Sequence, residues 1–462
     1  MKYDKKRSHI LIIFEQFIEI PLLIVGLILI FLILGEINEN ILTLFILIML
    51  SPISKFLKYL TTYYYITDKF FVIDSGIINK KHQEIPLKSI TTVDFSQNLL
   101  FQIFNVYKIN VENSSETMGK TNILLALKKD EALHFKEQLL KKKETKDKVE
   151  KNNEITIPFK KFIIKSLLDS KIAIVILLFS TFIGLGIDLS IINESIKIFG
   201  VVFACIIIFL IFYIASVIFY VLSNLLTYFN FKIKTKKDSI IISYGLLNKK
   251  HHTIKREKIT GLVLKQSILM KLFKYYTLEG IVIGYNTNKE DEQQEERAII
   301  IPVGTLEEIE KTIKELNIKI KISNKFNNSP KRALKYFYYN PLYIILFIAL
   351  LITLYYKINI AFVAVIILII ILAISNYLSY KNSGIKTNKN ISAFRNGSFT
   401  KQMFFIKTNR IESASSVGSK IKIYKNLNTI NVGVFAPTRY KNIKVKNVEI
   451  DEFKNLKDNL NY

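Results

Sequence analysis

Long apolar runs alternate with polar segments along the chain, and the runs arrive in pairs. Spanning a bilayer by helix takes about 20 mostly apolar residues. A buried core helix in a soluble domain explains one or two such runs, but not six. The pattern therefore predicts a polytopic α-helical membrane protein with about six transmembrane helices in three hairpins: Ile10–Leu34, Ile41–Leu60, Ile172–Ile187, Ile198–Leu222, Tyr336–Tyr356 and Ile358–Leu378. Only Lys357 and its neighbours separate the last two runs, so a single bent span is an open alternative there.

Shorter alternating runs follow each apolar pair and predict β-strands, because apolar residues at every second position are typical of half-buried strands. Each group ends in an amphipathic segment that predicts a helix; in the second group Thr305 and Glu308 form a capping box. The predicted strands are Phe70–Ile73, Tyr107–Val111, Ile123–Leu127, Ile240–Ser243, Ile391–Phe394 and Ile421–Tyr424. About 80–95 residues of this kind can bury one modest core, so the pattern predicts small α+β domains.

These polar segments are copies of one another. Gly76–Tyr107 matches Gly245–Tyr276 without a gap and with 12 identical positions, and a fainter third copy starts at Gly397. The first two copies are 169 residues apart. A spacing this long means a repeated domain, whereas solenoid repeats run at roughly 20–50 residues. The glycine that opens each copy fits a hairpin position with positive φ.

Positive charge is distributed unevenly around the apolar runs. The short connections within the three pairs hold two of the 65 Lys and Arg residues. Positively charged flanks stay cytoplasmic, so both termini and all three copies are expected in the cytosol of a bacterial cell, with the chain as a multi-pass protein of the cytoplasmic membrane. The net charge of +27 suits the anionic lipid of the inner leaflet better than nucleic acid, because no nucleic-acid-binding motif accompanies it.

The repeated segment, ITDKFFVIDSGIINKKHQEIPLKSIT followed by LLFQIFNVYKINV, resembles the bacterial pleckstrin-homology domain family, and the arrangement as a whole resembles membrane proteins of the YdbT type. Gly76, Ile85, Ile90 and Gln97–Tyr107 carry the likeness, which the third copy follows less closely. The resemblance implies three pleckstrin-homology-like, partly open β-barrels, each with a C-terminal helix. It also implies a smaller single-unit family member as a partner, and a role in envelope stress or antimicrobial-peptide tolerance.

Six segments follow from the pattern and the resemblance together. The segment before the second pair includes Ile157–Leu168, which reads equally as an interfacial amphipathic helix or as the plain cationic flank of a span. The predicted segments are a transmembrane hairpin at 1–64, domain 1 at 65–145, the amphipathic linker and second hairpin at 146–227, domain 2 at 228–322, the third hairpin at 323–379 and a divergent domain 3 at 380–462.

No sequence motif of catalytic or ligand-binding residues indicates an enzyme, a cofactor or a catalytic metal. Adjacent His251 and His252 raise the question of a metal site, but no carboxylate or cysteine cluster accompanies them, and a hairpin-surface position is the favoured interpretation of the histidine after NKK. The sequence thus predicts a membrane-anchored, non-enzymatic scaffold or binding protein. A transporter or channel component, for example in peptide export, is the alternative, although the apolar runs carry few of the ionisable residues that translocation requires.

The best candidate site is a set of lysines that recur at one hairpin edge of the copies. They are candidates for contact with lipid headgroups or with an acidic partner protein; the competing interpretation is that they keep exposed strands soluble. The residues are Lys80, Lys81, Lys249, Lys250 and Lys401.

Overall fold

The computed structural model describes residues 5–13, 56–76, 80–113, 123–140, 154–168, 197–236, 238–282, 298–323, 325–355, 359–435 and 440–460. These residues form two compact units. The chain passes between them more than once, so each unit contains several stretches of sequence. Unit 1 comprises 1–156, 229–258 and 284–286, and unit 2 comprises 157–228, 259–283 and 287–462.

In unit 1 the first copy forms two antiparallel sheets and two helices. Strands β1 to β3 make one meander, and β4 to β6 make the other. Alternate residues of both sheets and one face of the second helix close a single core that includes Phe71, Ile85, Ile109 and Phe135. The elements are β1 (Tyr63–Ile66), β2 (Phe70–Ser75), β3 (Lys81–Pro86), β4 (Ile90–Gln97), α1 (Leu99–Ile103), β5 (Val106–Asn113), β6 (Ile123–Lys128) and α2 (Lys129–Leu140).

The second sheet of unit 1 joins two copies. Its seven strands lie in the order β6-β5-β4-β10-β9-β8-β7, all antiparallel, so strands of the first copy continue directly into strands of the second. The added strands are β7 (Glu154–Thr156), β8 (Lys232–Thr235), β9 (Ser239–Tyr244) and β10 (Lys249–Lys255).

Unit 2 repeats this arrangement between the second and third copies. One seven-stranded sheet has the order β13-β12-β11-β17-β16-β15-β14, and a three-stranded sheet has the order β18-β19-β20. Both sheets and the last helix of the chain enclose a core that includes Phe394, Phe404, Val432 and Leu456. The strands are β11 (Ile259–Gln266), β12 (Tyr276–Val282), β13 (Ala298–Gly304), β14 (Asn327–Asn328), β15 (Gly384–Lys386), β16 (Ile391–Asn396), β17 (Lys401–Lys407), β18 (Ile411–Val417), β19 (Leu427–Phe435) and β20 (Tyr440–Glu449).

Nine further helices with defined bounds in the described residues belong to unit 2. Tyr343 at the start of one apolar helix accepts a hydrogen bond of 3.0 Å from Asn376 near the end of the next, so these two helices, α8 and α9, run antiparallel. The helices are α3 (Phe159–Leu168), α4 (Lys197–Thr227), α5 (Ile268–Leu272), α6 (Leu306–Glu315), α7 (Leu334–Phe337), α8 (Leu342–Tyr355), α9 (Asn359–Lys381), α10 (Lys420–Tyr424) and α11 (Ile450–Asn459).

Much of the predicted membrane portion lies outside the described residues, including most of the first two apolar runs and the whole of the third. Across the part of the chain that is described, no single helix is long and apolar enough to cross a bilayer; by length and composition alone, the bent pair Lys331–Phe337 and Leu342–Tyr355, which meet at 53°, qualifies. Tyr213–Thr227 and Leu368–Lys381 are shorter apolar helices.

In each copy, one sheet also pairs with a short segment of the sequence that precedes the apolar pair. The sequence pattern did not predict these short segments. Lys6 bridges to Tyr64 of β1, β7 pairs with β8, and β14 pairs with β15. The residues that precede and follow each apolar pair are therefore hydrogen-bonded neighbours.

The predicted hairpin glycines are confirmed, with φ of 114° at Gly76, 109° at Gly245 and 107° at Gly397. A Cβ on Gly245 would lie 2.0 Å from the carbonyl oxygen of Asn248, so no other residue fits without a local shift. The capping box is also present: Thr305 N–H donates to Glu308 Oε2 over 3.0 Å, and Glu308 N–H donates to Thr305 Oγ1 over 3.4 Å.

One local prediction needs correction. Ile421–Tyr424, predicted as a strand from its alternation, is part of helix α10. The linker segment before the second pair forms a helix, α3, in which Phe159 and Leu167 are exposed and Lys165 is buried, with its ammonium 5.8 Å from the Tyr228 ring centre.

Candidate functional site

The repeated lysines occupy equivalent positions at the start of equivalent strands. Lys81 begins β3, Lys249 and Lys250 begin β10, and Lys401 begins β17. Lys80 precedes β3 and, like Lys81, is exposed. The three strands β3, β10 and β17 belong to three different sheets.

Strands β10 and β17 each pair with the preceding copy. At the first joint, between β4 and β10, Lys249 lies opposite Gln97, Lys250 opposite Ser96 and His251 opposite Phe95. Main-chain pairing of this kind joins two domains into one continuous sheet. Lys249 and Lys250 thus belong to a connection between copies.

The second joint, between β11 and β17, uses the same register. Lys401 lies opposite Gln266, and pairing continues through six residue pairs to Gly261 opposite Ile406. Its centre is apolar, with Val263 facing Phe404, and both side chains are buried.

The first joint is polar at the position that corresponds to the apolar centre of the second joint. Asp94 and His252, at the positions equivalent to Val263 and Phe404, are each buried, and His252 Nδ1 lies 3.1 Å from Asp94 Oδ2. The other oxygen of Asp94 accepts from the Thr253 N–H over 3.3 Å, and Tyr244 Oη lies 3.4 Å from His252 Nε2. A buried polar pair of this kind needs its partners, since desolvation is otherwise uncompensated.

The repeated glutamines have a structural role beside the joints. Gln97 Nε2 donates to the carbonyl of Val106 over 2.9 Å, and Gln266 Nε2 donates to the carbonyl of Tyr275 over 3.1 Å. Each bond spans the short helix that follows the strand. In the third copy Gly418 takes this position, at the end of β18, the edge strand of its sheet.

Lys401 is the most perturbed of the candidate lysines. Burial, with the nearby cations Arg395 and Lys271, lowers its pKa to about 8. Desolvation penalises the charged ammonium, and like charges add to the penalty. A cation in this position loses part of its charge in mildly alkaline solution, unlike an ordinary surface lysine.

The equivalent strand of the first copy, β3, is at the edge of its sheet, and its exposed His82 lies beside acidic side chains. His82 Nδ1 lies 2.6 Å from Asp74 and its Nε2 lies 3.1 Å from Glu84, while Lys5 Nζ lies 2.8 Å from Asp74. The hydrogen bond to Asp74, followed by that to Glu84, raises the pKa of His82. His82 is a surface residue as predicted, whereas His252 is buried.

Sequence reasoning missed the Asp94–His252 pair and the pairing between copies. A signal was present: Asp94 interrupts an apolar strand and is replaced by Val263 in the next copy. Over the described ranges, no group of three or more His, Cys, Asp or Glu side chains is arranged to hold a metal ion.

Comparison with known proteins agrees with the repeated architecture. The family model described as bacterial PH domain matches three times, over residues 20–143, 174–317 and 343–462. The chain is 24% identical over 377 residues to the UPF0699 transmembrane protein YdbT of Bacillus subtilis (strain 168), covering 74% of this chain and 72% of that protein. No solved structure matches. Since the three matches together span most of the sequence, the chain belongs to the bacterial PH domain family.

Proposed function

We propose that this membrane-associated PH-domain protein is a non-enzymatic scaffold, anchored in the cytoplasmic membrane, whose cytosolic modules hold a partner protein or membrane lipid. The observation that carries the proposal is the pair of joints. Each joint extends one antiparallel sheet across strands of two copies in the same register, and shared main-chain hydrogen bonds link those strands. A series of linked binding modules is what a scaffold requires.

The short strands before the apolar pairs support the proposed sidedness. At each pair, the chain leaves a sheet and returns to hydrogen-bond with the same sheet, through Lys6 and β1, β7 and β8, or β14 and β15. A segment that begins and ends on one sheet crosses a bilayer an even number of times. Combined with the cationic flanks of the runs, this favours the cytosol for all three modules.

Within this scaffold, Lys80 and Lys81 are the lysines best placed to contact an external partner. They lie exposed at the start of β3, and β3 is the last strand of its sheet. We therefore assign contact with an anionic lipid or an acidic protein to the first copy, and a connecting role to Lys249, Lys250 and Lys401.

Labelling of single cysteines tests the anchoring and sidedness. In a Cys205→Ser background, Asp130→Cys, Lys311→Cys and Lys454→Cys place a thiol on an exposed helix of each copy. An impermeant maleimide is expected to label all three in inside-out vesicles and none in right-side-out vesicles. Labelling of any module from the outer face overturns the arrangement, and solute flux through proteoliposomes of the purified chain favours the transporter alternative.

Charge reversal tests the lysine assignment. Lys80→Glu combined with Lys81→Glu is expected to reduce the anionic lipid, or the acidic protein, that co-purifies with the full chain. Lys69→Glu combined with Lys88→Glu changes the charge equally at exposed positions of the same sheet region and is the matched control. Equal retention by both double variants contradicts the assignment.

A further inference from the structure

We propose that the short helix of each copy inserts its exposed apolar side chains into the interfacial layer of the lipid bilayer. These side chains form three apolar tips on α1, α5 and α10: Leu99, Ile103 and Phe104 in the first copy, Ile268, Leu272 and Phe273 in the second, and Ile421, Ile423 and Tyr424 in the third. The inference rests on the proposed membrane anchoring and assigns the surface that touches lipid.

The tips are among the most exposed large apolar residues of their copies. Ile103 is 74% exposed, Leu272 is 73% exposed and Tyr424 is 82% exposed. Single apolar residues on a surface are ordinary, but contiguous exposed apolar groups mark interaction sites. Exposed apolar side chains recur on the same short helix in three copies whose sequences have diverged, and Ile103, Leu272 and Tyr424 occupy equivalent positions on it.

The local fold aims these side chains outward. In α1 the side chain of Asn98 accepts from the Phe101 N–H over 2.9 Å, and in α5 Ser267 accepts from the Met270 N–H over 3.2 Å. These caps set the start of each helix, and Phe101 and Met270 are the residues that each helix buries. A five-residue helix with its central side chain buried presents its ends to the outside.

A residue with positive φ ends each tip. Asn105, Lys274 and Asn426 occupy equivalent positions with φ of 52°, 57° and 54°. The left-handed conformation turns the chain sharply into the following strand, as at a helix C-terminus. Each tip is consequently a short protrusion held between two strands.

In all three copies the tip lies beside the segment that leads into the first apolar run of its pair. In the first copy, Leu11 packs with Phe101 and Val106, and Leu11 lies at the start of the run Ile10–Leu34. The His9 N–H also donates to the carbonyl of Ala126 over 2.6 Å, which fixes this entry segment against the sheet.

The second and third copies show the same placement through different contacts. Ser267 Oγ donates to the carbonyl of Leu168 over 2.8 Å, and Leu168 ends α3 just before the run Ile172–Ile187. In the third copy Leu427 packs with Tyr336 and Phe337, ahead of α8. Three unrelated sets of contacts thus bring the tips to the entrances of the apolar runs, where an anchored chain meets the membrane surface.

Charge complementarity favours an anionic bilayer as the occupant. Lys271 and Lys274 flank the second tip, and Lys420, Lys422 and Lys425 flank the third. Lys422 Nζ also lies 5.9 Å from the Tyr336 ring centre. Aromatic and cationic side chains around an apolar patch are typical of residues at a membrane interface.

The absence of tryptophan from the sequence provides a clean test. Ile103→Trp, Leu272→Trp and Tyr424→Trp are introduced one at a time into the full chain, which is reconstituted in vesicles of phosphatidylcholine and phosphatidylglycerol. Leu133→Trp, at an exposed leucine of α2, is the matched control. We expect blue-shifted emission from the tip tryptophans and loss of intensity when the lipids are brominated in their acyl chains, with neither effect at position 133.

Other outcomes overturn the insertion. Bromolipid quenching no greater than that of Leu133→Trp excludes contact with acyl chains. A blue shift without bromolipid quenching, or one that grows with protein density, assigns the tips to a protein partner or a second copy. Phe104→Trp and Phe273→Trp, which exchange one exposed aromatic residue for another, repeat the measurement if a first variant does not fold.

The anchoring itself is measured separately, by flotation of the vesicles after alkaline carbonate extraction. A chain that floats but shows no quenching at any tip rejects the insertion and leaves the anchoring intact. A chain that does not float rejects the anchoring on which the insertion depends.

Discussion

The first and second joints share a register but differ in chemistry. In both, a repeated glutamine lies opposite a repeated lysine, Gln97 with Lys249 and Gln266 with Lys401. Three positions further along, the first joint buries Asp94 with His252 and the second buries Val263 with Phe404. The same backbone connection is therefore made once with a polar pair and once with an apolar pair.

This difference has energetic consequences. Burial of two apolar side chains contributes free energy of association without geometric demands. Burial of two polar side chains in close contact contributes little net free energy, because desolvation offsets the attraction, but loss of one partner is costly. The second joint should thus supply stability, and the first should discriminate against an incorrect partner strand.

Removal of the Asp94 carboxylate is expected to have the largest effect. Asp94→Ala removes this partner from buried His252 and from the half-buried Thr253 N–H, and should lower the free energy of unfolding by about 3 kcal/mol. Denaturant titration of the detergent-solubilised chain measures the loss. The control, Asp94→Val with His252→Phe, copies the second joint and should be nearly neutral. A single variant that costs no more than this double variant contradicts the proposed role of the pair.

An alanine at the hairpin glycines should have the next largest effect. Gly245→Ala and Gly397→Ala each force a Cβ to within 2.0 Å of a carbonyl oxygen at positive φ, at a cost of roughly 2 kcal/mol. Because three residue pairs define the first joint and six define the second, amide hydrogen exchange should accelerate more in β10 than in β17. Gly280→Ala, which meets only the end of the Ile300 side chain at 3.2 Å, is the control. Equal acceleration in both strands would show that the joints are equally strong.

The smallest effect concerns the charge of Lys401. Its pKa is about 8 in the folded chain, lowered mainly by burial, against 10.5 as the ordinary value. Between these two values the unfolded chain holds a proton that the folded chain has released, so the free energy of unfolding rises with pH across this window.

Lys401→Met should remove this pH dependence and stabilise the chain near neutral pH by about 1 kcal/mol, a figure that allows for solvent screening of a partly exposed group. Thermal melts between pH 7 and 10.5 provide the measurement, with Lys454→Met at an exposed helix position as the control. Parallel pH profiles for the wild-type chain and Lys401→Met refute the assignment.

The repeated strands and glycine turns were predictable because they depend on local patterns. Apolar alternation located β2, β5, β6, β9 and β16, and the need for positive φ located Gly76, Gly245 and Gly397. Apolar alternation gave the wrong prediction at Ile421–Tyr424. The internal repeat was the better guide there, because this segment aligns with α1 and α5, and Ser419 occupies the N-cap position.

The joints were not predictable from the periodicity of apolar residues in a single sequence. Sheet periodicity identifies which residues of a strand face a core, but not which strand becomes its neighbour. The candidate lysines lie at or just before the starts of β3, β10 and β17, yet the pairing of Lys249 with Gln97 depends on residues far apart in the chain. The short strands before the apolar pairs were missed because two or three residues carry too little pattern.

The return of the chain to its own sheet after each apolar pair limits how this architecture can change in length. In the proposed arrangement, loss of one whole repeat would remove an even number of crossings, and the surviving modules would keep their compartment. Deletion of the middle repeat would nevertheless set β4 beside β17 and, in the shared register, Asp94 against Phe404. The side chains at the joints therefore favour one order of the repeats. The proposed side of the membrane, by contrast, would be unaffected by a change in the number of repeats.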